Sequence, residues 1–255
     1  MARRTSRLVL VSRITPKGKG TNVRTIVVVL FAGVVCIASA CSAQDSSAPK
    51  AEDETNPSTE SKALPEKGSI PAGEYTTEEF EPSLSFRLEG QGWNMLPPSS
   101  RDALFILKDS PLGLLGFLHV SRIFDEEELS KETQKPAPDD LVAWIEHHPY
   151  LDASRPEQAP IGGVNGQQIE VTAARMPVDH PQFCSDPCVP LFALGTRENA
   201  DNFWLYPNEK VRFIVLEDVE GKTVALSIDS TTEEFEAFLP EAENVLDTVT
   251  WEDDS

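Results

Sequence analysis

The first 40 residues decide which part of this chain can fold, because they carry seven basic side chains (Arg3, Arg4, Arg7, Arg13, Lys17, Lys19 and Arg24) and no acidic one. Directly after Arg24 comes an uncharged run of 16 residues, Thr25 to Ala40 (TIVVVLFAGVVCIASA), which closes on small side chains before Cys41. A basic stretch, an apolar stretch and a small-residue cut site together make a secretory signal that the mature protein loses. The run falls short of the roughly 20 apolar residues a spanning helix needs, so a permanent transmembrane anchor is the weaker reading. Arg3-Arg4 lies too far ahead of the apolar run to read as a twin-arginine signal. Folding is therefore argued from residue 41 onward, in an oxidising compartment.

Ile37-Ala38-Ser39-Ala40-Cys41 resembles the lipobox of bacterial lipoproteins, with Ala38 where leucine is usual. The resemblance implies cleavage between Ala40 and Cys41 and a diacylglyceryl group on the Cys41 sulfur, the only cofactor-like group expected. Ordinary signal cleavage, leaving Cys41 free, is the alternative. Two or three acyl chains bury enough methylenes, at about 0.8 kcal/mol each, to hold a protein stably on a bilayer. Loss of residues 1–40 leaves 15 of the 22 basic residues against all 42 acidic ones, a formal charge of -27. Such a body repels phosphate backbones and anionic headgroups, which argues against nucleic acid as a partner and leaves the lipid to explain membrane attachment. The expected location is the outer side of the cytoplasmic membrane, with an envelope protein or a small ligand as partner.

Residues 41–74 form the acylated cysteine and a predicted disordered linker, rich in Ser, Pro, Glu and Ala and too poor in apolar residues to offset the entropy of ordering. Residues 75–252 are predicted to be a single α+β domain, and 253–255 a tail. Within the domain, Ser83 to Leu88 alternates like a half-buried strand and ends at Gly90-Gln91-Gly92 before Trp93. Ala103–Leu107 and Gly116–Phe124 read as a hairpin across Lys108 to Gly113, and Asp125 to Glu128 as a solvated charge run. Leu141, Trp144, Ile145 and His148 follow acids at 139 and 140 at helical spacing. Asn165-Gly166 marks a turn into the strand Gln168–Ala173, Phe203 to Tyr206 is apolar enough for a further strand, and Val211–Leu216 with Thr223–Ile228 gives a second hairpin. Ser230-Thr231-Thr232-Glu233 fits a capping box opening a helix with Phe235, Phe238, Leu239, Ala242, Val245 and Leu246 on one stripe. Pro240 predicts a kink or break there. Thr248 to Trp251 reads as a last strand.

This order, an opening strand with Phe86 and Gly92-Trp93, a mid-chain helix, the Gly163-Val164-Asn165-Gly166 turn and a last hairpin followed by an amphipathic helix, resembles the PsbP-like family over roughly residues 76–252. The resemblance implies a single antiparallel sheet covered by amphipathic helices, a PsbP-like sandwich, and a binding or assembly role without catalysis. It brings no catalytic residue with it.

One compact chemical cluster stands out: Asp179-His180-Pro-Gln-Phe-Cys184-Ser-Asp186-Pro-Cys188. With Cys36 lost in the signal and Cys41 acylated, Cys184 and Cys188 are the two thiols left, and a four-residue separation in an exported chain predicts a disulfide. The alternative is a copper or zinc site, or a redox pair, using His180, Cys184 and Cys188. The Cys-x-x-x-Cys-x-Pro spacing resembles copper-delivery proteins of thioredoxin fold, although here it falls late and outside a βαβ setting. His147 and His148 point about 100 degrees apart on a helix and do not converge on one ion. They and His119 read as surface or packing residues. No Gly-x-Ser-x-Gly, His-Glu-x-x-His, P-loop or Gly-x-Gly-x-x-Gly signature occurs. A hydrolase with a site assembled from distant residues remains the third reading behind a non-catalytic binding module.

Overall fold

The computed structural model describes residues 61–97, 100–129, 133–178, 184, 186–195 and 202–252. The signal peptide, Ala40, Cys41, the linker as far as residue 60, His180 and the tail lie outside the described residues.

The first strands are β1 (Lys62–Ala63), β2 (Gly68–Ile70), β3 (Gly73–Thr76), β4 (Leu84–Leu88) and β5 (Trp93–Leu96). The hairpin β6 (Ala103–Asp109) and β7 (Leu112–His119) follows, then β8 (Arg122–Phe124), β9 (Gln134–Pro136) and helix α1 (Leu141–Glu146). Next come β10 (Leu151–Ala153), β11 (Glu157–Gln158), β12 (Gly166–Ala173), β13 (Val189–Ala193) and β14 (Asn202–Leu205). The long hairpin β15 (Glu209–Val219) and β16 (Lys222–Thr231), helix α2 (Phe235–Leu246) and β17 (Thr250–Trp251) complete the order.

Three sheets result. The central one runs β10-β12-β15-β16-β7-β6-β5-β2, with β11 also on β12. Successive residues of its middle strands are apolar, so both of its faces must be covered. Leu104 and Ile106 of β6, Leu115 and Phe117 of β7, and Leu226 and Ile228 of β16 pack into one cluster with Leu84, Phe86 and Leu88 of β4 and the stripe of α2. Ala103, Phe105, Leu114, Leu118, Phe213 and Ala225 join a second cluster with α1 and with β13 and β14. One cover is therefore α2 with the sheet β1-β3-β4-β17, and the other is α1 with the sheet β14-β13-β8-β9.

This overturns the expectation of a single antiparallel sheet under amphipathic helices. The protein is mostly β, the described residues hold two helices, and small sheets supply much of each cover. One pairing, β1 with β3, is parallel. Residues 61–74, expected in the disordered linker, contain β1, β2 and the start of β3. Their order comes from distant partners, since Gly68 to Ile70 pair with Met95 to Trp93, and Lys62 and Ala63 with Tyr75 and Thr76.

Two local expectations also shift. Ser230 does not cap a helix: it is buried in β16 and its hydroxyl donates to the Leu112 carbonyl (2.6 Å). The helix starts at Phe235 after a turn in which the Glu234 N–H donates to the Thr231 hydroxyl (3.3 Å). Pro240 lies inside α2 without dividing it. An interior proline costs about 3 kcal/mol. Phe235, Phe238, Ala242, Val245 and Leu246 are buried on the stripe, and each of the larger side chains returns about 1.5–3 kcal/mol. Arg212 fastens the helix further by bridging Glu243 of α2 and Glu170 of β12 (2.6 Å each). Burial alone would raise the Glu170 carboxyl, but the hydrogen bonds from Lys210 and Arg212 outweigh it and hold it below the ordinary carboxylate value.

Gly113 lets α2 press on β7, because a Cβ built there would lie 2.1 Å from the nearest carbon of the Phe238 ring. Gly113→Ala is expected to destabilise the fold by about 1–3 kcal/mol through overpacking, read as a lower urea midpoint with an unchanged slope.

Candidate functional site

A disulfide joins Cys184 and Cys188, with α-carbons 6.2 Å apart. Both cysteines are buried against Trp204 and Tyr206. Tyr206 is itself fixed by its N–H, which donates to the Glu209 carboxylate (2.8 Å). The bond engages both sulfurs, so neither is free to ligate copper or zinc in this state; a disulfide is also the oxidised form a redox pair would take, and His180 lies outside the described residues. No group of three or more His, Cys, Asp or Glu side chains is gathered as a metal site among the described residues.

The histidines fall into three settings. His147 is exposed and its Nδ1 sits 2.8 Å from the Ala143 carbonyl. His119 of β7 places Nδ1 2.9 Å from Asp102 Oδ1 at the open end of the β6-β7 hairpin; the hairpin was expected from the sequence, but the register that brings the two together was not. No serine, threonine or cysteine is hydrogen-bonded to that pair among the described residues. His148 is buried at 3% exposure. Its ring meets the Trp144 indole at 4.8 Å, Nδ1 accepts from the Tyr150 N–H (3.4 Å), and Nε2 has no partner among the described residues. Burial lowers its pKa to about 4; the Glu126 carboxylate opposes the shift and the Lys135 ammonium adds to it. Glu126, read from the sequence as part of a solvated run, is in fact only 24% exposed at its side chain and pairs with Lys135 (2.8 Å).

One open concavity of mixed character is a cleft of about 420 Å³. One wall is the Leu64–Lys67 segment between β1 and β2, the other is the Thr77 to Phe80 turn that follows β3, and the floor comes from Met95, Pro97 and Leu104. Phe80, Met95 and Leu104 are buried, whereas Glu66, Lys67, Glu78 and Glu79 stand exposed at the rim. The Thr77 turn is held from both sides. The Leu84 N–H donates to the Thr77 hydroxyl (3.0 Å), and the Ser83 hydroxyl donates to the Thr77 carbonyl (2.9 Å). One residue past Phe80, Glu81 ion-pairs with Arg101 and with Lys222 (3.3 Å) and receives backbone support from the Arg101 carbonyl. The Arg101 hydrogen bond holds the Glu81 carboxyl below its usual pKa, with Lys222 helping and desolvation opposing. The Thr77 to Phe80 wall of the cleft is thus fixed. Nothing in the sequence announced it, because its walls come from three segments spread over 40 residues.

Comparison with known protein families finds no family model that matches this chain, and comparison with curated proteins finds no match. Solved structures do resemble it. LpqN, involved in cell envelope biogenesis of Mycobacterium tuberculosis, is 12% identical, with 72% of this chain and 89% of LpqN covered at a TM-score of 0.33. Cyanobacterial PsbP from Synechocystis sp. PCC 6803 is 9% identical, with 72% and 95% covered at a TM-score of 0.36. At these identities and scores neither likeness assigns a family or a role to this chain.

Proposed function

We propose that this chain is an exported lipoprotein, cleaved before Cys41 and held on the outer side of the cytoplasmic membrane by acyl chains on that cysteine. Its folded domain binds a partner and performs no chemistry. The observation that carries the reading is the order at the start of the sequence: seven basic residues, an uncharged run and Ala38-Ser39-Ala40-Cys41, ahead of a strongly acidic body. The pinned cleft with an apolar floor supports a binding role, since its innermost surface offers side chains that recognise apolar groups and none that transfers a proton.

Mass spectrometry of the protein from its own cells should give a mature chain starting at residue 41 and heavier by a diacylglyceryl unit. Cys41→Ser should move the protein from the detergent-rich to the aqueous phase on phase separation, because the two or three chains lost each supplied about 0.8 kcal/mol per buried methylene. An unmodified Cys41, or a Cys41→Ser protein that still partitions into detergent, contradicts the anchor.

A further inference from the structure

We propose that the cleft between Leu64–Lys67 and Thr77–Phe80 receives a basic peptide segment of another envelope protein, one apolar side chain entering the cleft and flanking Lys or Arg residues resting on the rim. The inference rests on the reading of this domain as a binding module and names the partner's chemistry. A cleft of about 420 Å³ falls in the roughly 300–1,000 Å³ range of organic ligand sites and is far larger than a single ion needs. Its floor of Met95, Pro97 and Leu104, with Phe80 at the foot of one wall, rewards an apolar group.

The rim chooses the sign of the ligand. Among the described lining residues Glu66 and Glu78 stand exposed beside one cation, Lys67. The Glu66 and Glu78 carboxylates make no hydrogen bond or ion pair among the described residues, unlike Glu81 one residue past the cleft. Charges left unpaired beside an apolar floor, in a mature chain of formal charge -27, repel an anionic bilayer surface and attract a cationic polypeptide. The tether limits where that partner can be. From Cys41 to Leu64 there are 23 residues, which span at most about 80 Å fully extended, so the cleft samples proteins on the same membrane.

The test uses the acylated protein from its own cells in nanodiscs of neutral phosphatidylcholine, and a fluorescent peptide of sequence Lys-Lys-Leu-Leu-Lys-Lys. Saturable binding above empty nanodiscs is expected, weakening as salt is raised, with no binding of the matching Glu-Glu-Leu-Leu-Glu-Glu peptide. Replacing two of the exposed rim glutamates, Glu66→Lys with Glu78→Lys, should weaken binding about tenfold while leaving the urea midpoint unchanged. Leu64→Ser, at the half-buried wall, should weaken it independently of salt. Equal binding of the two peptides or indifference to the double charge reversal would overturn the proposal. Failure with Cys41 acylated removes only the cleft's assignment, whereas an unacylated Cys41 removes the anchor and leaves peptide binding standing.

Discussion

Phe213→Ala should cost about 4 kcal/mol of folding stability, within the range of roughly 3–5 kcal/mol seen when buried phenylalanines are truncated. Phe213 of β15 is fully buried where the central sheet meets the sheet of β13 and β14. Its ring stands edge-on to Phe192 at 5.3 Å and to Phe203 at 5.4 Å, and Phe192 and Phe203 lie 5.9 Å apart. Three strands therefore converge on one aromatic knot. Edge-to-face pairs add about 0.5–1.5 kcal/mol beyond the area they bury, and a hole at their centre forfeits two at once. Urea unfolding of the variant measures the loss. A cost below about 1 kcal/mol would mean that the β13-β14 layer does not press on the central sheet, and the three-layer description would be wrong.

Between pH 7 and pH 5 the protein should lose about 2 kcal/mol of stability through His148 alone. The imidazole has an ordinary pKa near 6.5 when the chain is unfolded and about 4 in the fold, where burial next to Trp144 disfavours its charged form. The unfolded state then binds the extra proton throughout that interval. His148 consequently contributes its full stabilisation above about pH 6.5 and loses it as the pH falls toward 4, about 3 kcal/mol in all. The depressed carboxyls of Glu126, Glu170 and Glu81 act in the same direction, but only as the pH falls below their ordinary value of 4.5. The window from 7 to 5 therefore isolates the imidazole. His148→Phe keeps a ring against Trp144 and removes the titrating group. Its urea midpoint should be nearly flat across the window, and a variant that keeps the wild-type slope would refute the assignment.

What the sequence disclosed depended on whether a signal was local. The β15 and β16 hairpin was legible, because two long apolar runs flank a polar connection. So was α1, whose Asp140 side chain accepts the Ala143 N–H (2.8 Å) as an N-cap should. The disulfide was legible by elimination of the other cysteines. The number of layers was not. In Ala103 to Ile106 every residue is apolar, and such a run says that both faces are covered without saying by what. Residues 62–70 looked like linker because their composition is poor, and only pairing with β3 and β5 orders them. Pro240 was weighed against a local hydrogen bond when the deciding quantity was the packing of α2. His119 and Asp102 face each other across the expected β6-β7 hairpin, a meeting that its register decides, whereas the cleft is an encounter between segments far apart in the chain.

The sheet β1-β3-β4-β17 joins Lys62–Ala63 to Thr250–Trp251 within four strands, and the Trp251 indole N–H donates to the Ile161 carbonyl (3.2 Å). A chain that emerges from a channel with its N-terminus first cannot complete this layer until residue 251 is free, about 190 positions after β1 was released. Until then β4 presents an unpaired border and the apolar surface beside it is only partly shielded. Assembly of this layer is thereby deferred until almost all of the described residues are free, which makes it a late, long-range step of folding.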